Sequence, residues 1–297
     1  MRFLEVIHSG SEVLRLVWLG QDAWLREAGH EVQVLDLQGR PATERLVLLK
    51  AERLHGHEAV LVRAIEVLPL LSDAGFLAGP KVVLDHCTPA QVGRTYPRLG
   101  LLQRLAKVSC YSPQAERGFR EAGVGKVRTL PGPHAVPVQE DARGEGLVIG
   151  VARSCATAHQ VLTKLLRAAD EKGWGATFVS TMTAIGSEKV GSDLEVAERC
   201  DLLVAPREEV DLGQPHEGAI LALAFGRALV TNWTEALSAM SYTQGTYLNV
   251  DKYSAGLSGY VAAVELYRRN RGPYDAYPRR AKVDHTRFPR HLVEWVS

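Results

Sequence analysis

Little in this chain of 297 residues is extreme, and what it lacks narrows the field. Its four cysteines, Cys87, Cys110, Cys155 and Cys200, stand far apart and form no C-x-x-C pair. That spacing supplies neither a zinc knuckle nor a redox motif and is thin for a disulfide framework. No apolar run reaches the roughly 18 residues of a membrane span. The start reads straight into a strand, without a basic segment, an apolar core and a small-residue cleavage site. A soluble, cytoplasmic protein is the expectation. Neither sign of charge dominates, with 35 basic and 34 acidic residues and a formal net charge of +1. There is thus no global electrostatic footprint for nucleic acid, and no nucleic-acid partner is expected. No G-x-G-x-x-G follows the first strand, which argues against a dinucleotide dehydrogenase. Asp-x-Asp is absent apart from near misses around Asp36, and His55-Gly56-His57 is a loop-like pair that does not by itself define a metal site. No metal and no cofactor are expected.

What is present is ordinary globular material, 46% hydrophobic and 23% charged, in a chain longer than one hydrophobic core usually organises. Arg2 to His8 reads as a short buried strand. Ser9 and Glu12 have capping-box spacing ahead of an apolar-periodic segment, Val13 to Ala28, that Gly29 stops. Glu31 to Leu37 is the next strand, which completes a strand–helix–strand unit, the building block of a parallel sheet. Apolar runs of strand length follow at Ala59–Ile65, Lys81–Leu84, Lys107–Tyr111 and Val127–Leu130, with a helix over Ser112–Ala122. Composition then shifts to proline, glycine and charge from Pro131 to Gly146, which reads as a linker. The second half starts afresh with strands at Leu147–Ala152, Thr177–Ser180, Asp201–Ala205 and Ala228–Thr231. Between them lie helices at His159–Lys172, Leu194–Arg199 and Glu217–Phe225. No repeat of fixed period is visible. The expected class is α/β, with a first domain over 1–134, a linker over 135–146, a second domain over 147–275 and a terminal segment over 276–297.

Several segments, in this order, resemble the retaining, family-4-like branch of the GT-B glycosyltransferases. Gly29-His30-Glu31-Val32 matches that family's opening into its second strand. Lys107 to Gly123 resembles its strand–serine–helix–glycine segment, and Leu147 to Arg153 the first strand of its donor domain. Asp201 to Thr231 resembles its signature region of strand, proline, acidic loop, glycine, proline, apolar helix, glycine and strand. The resemblance implies two Rossmann-like domains facing a cleft, with the terminal segment crossing back to the first domain. It implies transfer of a sugar from a nucleoside-diphosphate donor to an acceptor such as a glycan, a lipid-linked or a small molecule. Two departures stand out. Arg153 has no companion Lys in 154–160, with His159 and Lys164 as displaced substitutes. Counted back from Gly226, the family's second signature Glu falls on Leu221, whereas counted forward from Pro215 it falls on Glu217. These two are i and i+4 and share a helix face.

The same resemblance assigns roles. Arg153 and the start of the Glu217 helix would receive the diphosphate, because cations and helix N-termini stabilise a leaving anion. Glu217 would contact the donor ribose, with Gly213 in the loop before it, and Glu209 would be the first signature acid, with Glu208 and Asp211 as competitors. His86, after the strand ending Val83-Leu84-Asp85, would hydrogen-bond sugar or acceptor. Gly10 would let the first turn approach the ligand. Each has a plain alternative: a surface arginine, a first-turn glutamate favoured by the macrodipole, a solvated loop acid beside Arg207, a histidine satisfied by Asp85, a turn glycine. A non-catalytic nucleotide- or glycan-binding subunit and a nucleotide-sugar epimerase are the rival functions. The basic tail (Arg268, Arg269, Arg271, Arg279, Arg280, Lys282, Arg287, Arg290) is either a solvated face or a weak membrane-surface contact.

Overall fold

The computed structural model describes residues 1–8, 12–63, 65–78, 81–84, 99–104, 107–110, 113–130, 135, 146–153, 155–207, 216–234, 237, 240, 242, 245–280 and 287–297. Contacts divide the chain into two compact units, one built on 1–132 and 285–297, the other on Pro133–Leu212 and His216–Asp284.

The first unit is a six-stranded parallel sheet: β1 (Arg2–Ile7), β2 (Glu31–Asp36), β3 (Ala59–Val62), β4 (Lys81–Leu84), β5 (Lys107–Cys110) and β6 (Val127–Thr129), in the order β2-β1-β3-β4-β5-β6. Apolar residues at nearly every position suit central strands covered on both faces, and β3, Ala-Val-Leu-Val, is buried throughout. Helix α1 (Glu12–Glu27) turns Val13, Val17, Trp18 and Leu25 inward. Gly29, at φ +82°, reverses the chain into β2, a left-handed conformation that costs a glycine little. Helices α2 (Ala42–Arg53), α3 (Leu68–Asp73), α4 (Leu99–Arg104) and α5 (Pro113–Glu121) complete the layers. One face of the sheet is closed by the end of the chain. Leu292 and Val296 are buried with Phe3, Leu25, Ala59, Leu61 and Val83, and Lys81 Nζ donates to the carbonyls of Val296 and Ser297, both at 2.7 Å.

Beneath α1 lies a buried polar cluster. Arg63 Nε donates to Glu5 Oε1, and Arg63 Nη2 to Gln21 Oε1 at 2.8 Å. The guanidinium also sits over the Trp18 ring, 5.5 Å from its centroid. Asp22 adjoins Glu5, and burial, followed by the Glu5 charge, pushes its carboxyl up to about 8.

The second unit holds β7 (Leu147–Val151), β8 (Ala176–Ser180), β9 (Ser187–Lys189), β10 (Leu202–Val204), β11 (Ala228–Thr231) and β12 (Leu248–Asn249), again all parallel. Their order is β9-β8-β7-β10-β11-β12. Counted within the unit, the winding runs outward one way from β7, then reverses and runs the other way from β10, the doubly wound Rossmann pattern. Helices α6 (Ala158–Lys172), α7 (Asp193–Arg199), α8 (Glu217–Ala224), α9 (Leu257–Arg269) and α10 (Gly272–Arg280) flank it, and α11 (Arg287–Val296) is the helix that closes the first unit. Of the tail arginines, Arg268 stacks on Trp174 and donates to its carbonyl at 2.9 Å, and Arg271 lies over Tyr267. Arg268 is therefore partly packed, whereas Arg271 keeps its exposure while lying against the ring. Among the described residues no helix is long and apolar enough to cross a membrane.

Candidate functional site

Parallel strands joined by covering helices place all their carboxyl ends on one edge, and ligands of open α/β sheets bind there, where the winding reverses. In the second unit the reversal lies between the adjacent strands β7 and β10. Arg153 follows β7 and Arg207 follows β10, so each of the two strands at the reversal delivers a guanidinium to this edge.

Arg153 is exposed, and its backbone N–H donates to both carboxylate oxygens of Asp193, at 3.1 and 3.2 Å. Thr181 Oγ1, after β8, donates to the same carboxylate at 3.3 Å. The turn carrying Arg153 is therefore pinned by its main chain and the side chain is left to the surface. The displaced substitutes for the absent Lys sit elsewhere: His159 Nε2 faces the Thr183 carbonyl at 3.3 Å, and Lys164 lines a groove of about 370 Å³ between α6 and α9 with Glu171 and Glu265.

Helix α8 enters this edge through His216, a residue the sequence did not single out. His216 Nδ1 accepts from the N–H of Ala219 at 3.1 Å and caps the helix, while Nε2 lies 2.8 Å from Thr231 Oγ1. Because Nδ1 accepts, the ring proton is on Nε2 and is donated to Thr231. The threonine hydroxyl donates onward to the Ala205 carbonyl at 2.6 Å. The imidazole is wholly buried; burial, and then the nearby Arg207 charge, holds it well below the usual histidine range. It is a neutral bracket tying α8 to β10 and β11. Gly218 permits the close approach: a Cβ there would stand 2.2 Å from the Ala205 Cβ. Glu217, the first helical residue, is half-buried, and Leu221 is a core residue at 1% exposure.

The remaining strand ends join in one network. Arg207 N–H donates to Asn232 Oδ1 at 3.3 Å, and the Tyr260 hydroxyl donates to the same oxygen. Asn232 Nδ2 and the Trp233 N–H donate to Asp251 at 2.9 and 3.1 Å. Burial, followed by Cys155 and Asp251, raises the Tyr260 phenol, which stays a donor. Trp233 remains 47% exposed at the rim. Arg207, Asn232 and Asp251 were readable by the rule that drew attention to Arg153, since each lies within three residues of a strand's end. His86, Glu209, Gly10 and Gly213, with Glu208 and Asp211, lie outside the described residues.

No family model and no curated protein matches the sequence. Solved structures do match across the whole chain. HepE of Anabaena, in complex with UDP and glucose, aligns with 99% of this chain and 98% of its own at a TM-score of 0.69 and 11% identity. The fold is the two-Rossmann-domain fold of the GT-B enzymes. A glycosyltransferase of Rickettsia africae shares this GT-B fold at 0.67, with 11% identity over 99% of this chain and 97% of its own. A putative UDP-N-acetylglucosamine 2-epimerase of Listeria monocytogenes matches at 0.63, with 10% identity over 99% and 94%.

Proposed function

We propose that this protein is a glycosyltransferase that takes its sugar from a nucleoside diphosphate bound at the carboxyl edge of the second unit. The observation that carries the reading is the pair of arginines at the winding reversal, Arg153 and Arg207, on the sheet edge that the N-terminus of α8 also enters. Two cations and a helix N-terminus at one sheet edge suit a diphosphate. GT-B neighbours crystallised with UDP and with UDP-glucose support the donor class.

Transfer breaks the bond between the anomeric carbon and the phosphate oxygen and forms one to an acceptor oxygen, whose proton departs. Negative charge grows on the diphosphate as the first bond breaks, and preorganised donors aimed at it lower the barrier. Arg153 and the first turn of α8 would carry that charge, and Glu217 would hold the ribose hydroxyls. His86, Glu209, Gly10 and Gly213 keep the roles that the family resemblance gives them, as does retention at the anomeric centre. No metal or cofactor is assigned a part in this reading. Epimerisation of a nucleotide sugar is the second reading, favoured by the Listeria neighbour.

A thermal-shift panel of nucleoside diphosphates and their sugars, followed by assay of donor turnover, tests the proposal. A ligand that binds only the native state raises Tm. A shift with UDP or its sugars and slow donor hydrolysis without acceptor is the expected outcome. Interconversion of epimers without release of diphosphate would move the protein to the second reading. Binding without any turnover would make it a non-catalytic subunit.

A further inference from the structure

At the amino-terminal edge of the first unit's sheet, three side chains from one six-residue stretch converge. Glu52 lies in the last turn of α2, and His55 and His57 lie in the loop leading to β3. His55 Nδ1 is 3.0 Å and His57 Nε2 3.3 Å from one oxygen, Glu52 Oε2, and the ligand atoms of all three residues lie within 4.8 Å of one another. Gly56, at φ +69°, turns the chain between the histidines, whose rings meet edge to face with centroids 6.2 Å apart. We propose that Glu52, His55 and His57 form a binding site for a divalent transition metal, zinc being the ion that suits them best.

The donor set is two imidazoles and one carboxylate, which selects zinc and its neighbours over magnesium or calcium. Zinc bonds of about 2.0–2.2 Å in tetrahedral geometry separate ligand atoms by about 3.3 Å, and both glutamate–histidine separations already have that value to within a few tenths of an ångström. Only the histidine–histidine spacing has to close. His55, with its side chain 59% exposed, is free to close it, while His57 at 5% and Glu52 at 15% form the fixed side. The fourth position falls to water.

Binding moves each imidazole proton to the other ring nitrogen. For His55 that nitrogen is offered to solvent. For His57 it is Nδ1, which is buried and has no hydrogen-bond partner. A ligand histidine normally donates that proton to an acceptor, so its absence here weakens the site. The Arg2 guanidinium, which donates to the His55 carbonyl at 3.1 Å, weakens it further. The metal would clip the end of α2 to the entrance of β3. This inference concerns the first unit alone and is independent of sugar transfer.

The test uses the full chain without a histidine tag, stripped with chelator, titrated with zinc alone in a calorimeter and followed by thermal shift. One zinc per chain, with a raised Tm, is expected. Cobalt in its place should give the visible absorption of a tetrahedral site. E52Q and H57Q should each lose zinc affinity by about tenfold or more while keeping the parent's circular dichroism. H57Q alone risks misfolding at a buried position, and E52Q supplies the check. Absence of stoichiometric zinc binding in the parent overturns the proposal. So does undiminished binding in a folded E52Q, which would place the ion elsewhere, such as at Cys155.

Discussion

Glu5 and Arg63 meet diagonally across β1 and the end of β3, Nε to Oε1, with both side chains fully enclosed. A carboxylate and a guanidinium on the same face of adjacent parallel strands pair directly in this enclosed space, and neither tolerates the loss of its partner. Arg63→Met therefore leaves a buried charge unpaired. The expected loss is about 3–5 kcal/mol of first-unit stability, read as a lower denaturant midpoint by the fluorescence of Trp18, which the guanidinium overlies. E5Q/R63M, removing both charges, should recover part of it.

Asp22 makes the same cluster sensitive to pH. Its carboxyl is raised to about 8 in the folded chain, against about 3.9 when unfolded. Folding therefore holds a proton that the unfolded chain releases. This contribution is complete below about pH 4 and declines as pH rises through about 8. Denaturation midpoints at a series of pH values should fall over that window in the parent. Asp22→Asn should flatten the slope and raise stability on the alkaline side.

Gly218→Ala places a methyl group 2.2 Å from the Ala205 Cβ, and both atoms are fixed to backbone, so α8 has to shift. Overpacking of this kind costs about 1–3 kcal/mol. The His216 bracket moves with the helix. Nucleoside-diphosphate affinity should fall together with Tm, whereas Leu221→Met, a volume-conserving change in the same helix, should leave affinity near the parent's.

Arg153→Ala should depress sugar transfer or donor hydrolysis about 100- to 1,000-fold at saturating donor and weaken binding of the free diphosphate. Arg153→Lys should recover only part, since an ammonium keeps the charge but not the two-pronged fork. Because only the main chain of Arg153 is engaged in holding the turn, Tm should be unchanged in both variants. Parent-like turnover in the alanine variant would make the residue structural.

Most of the strands from β1 to β8, with β10 and β11, were legible as apolar runs bounded by glycine, proline or a helix cap, and β2 was legible because Gly29 stops α1 just ahead of it. Strands β9, Ser-Glu-Lys, and β12, two residues long, were not. The first has no apolar residue and the second is too short to show a pattern, so the pairing of each is decided by the neighbour already in place. Arg153 was legible as the residue after a strand. His216 was not, because histidine is outside the usual set of helix caps and its partner Thr231 lies a whole helix away. Glu52, His55 and His57 failed as a motif for a related reason: the first belongs to a helix, the other two to a turn, and only the path of α2 brings them together.

The helix that finishes the first sheet lies beyond the whole of the second unit in the sequence. Between Leu130 and Arg287 the ribosome synthesises the whole second unit, and during that interval Phe3, Leu25, Ala59 and Val83 lack the Leu292 and Val296 that cover them in the finished protein. Amino-terminal domains ordinarily fold as they emerge; this one has to wait with an open apolar face. Its closure therefore comes only after the second unit's sequence has been made, and an open apolar face of this kind is what a chaperone binds.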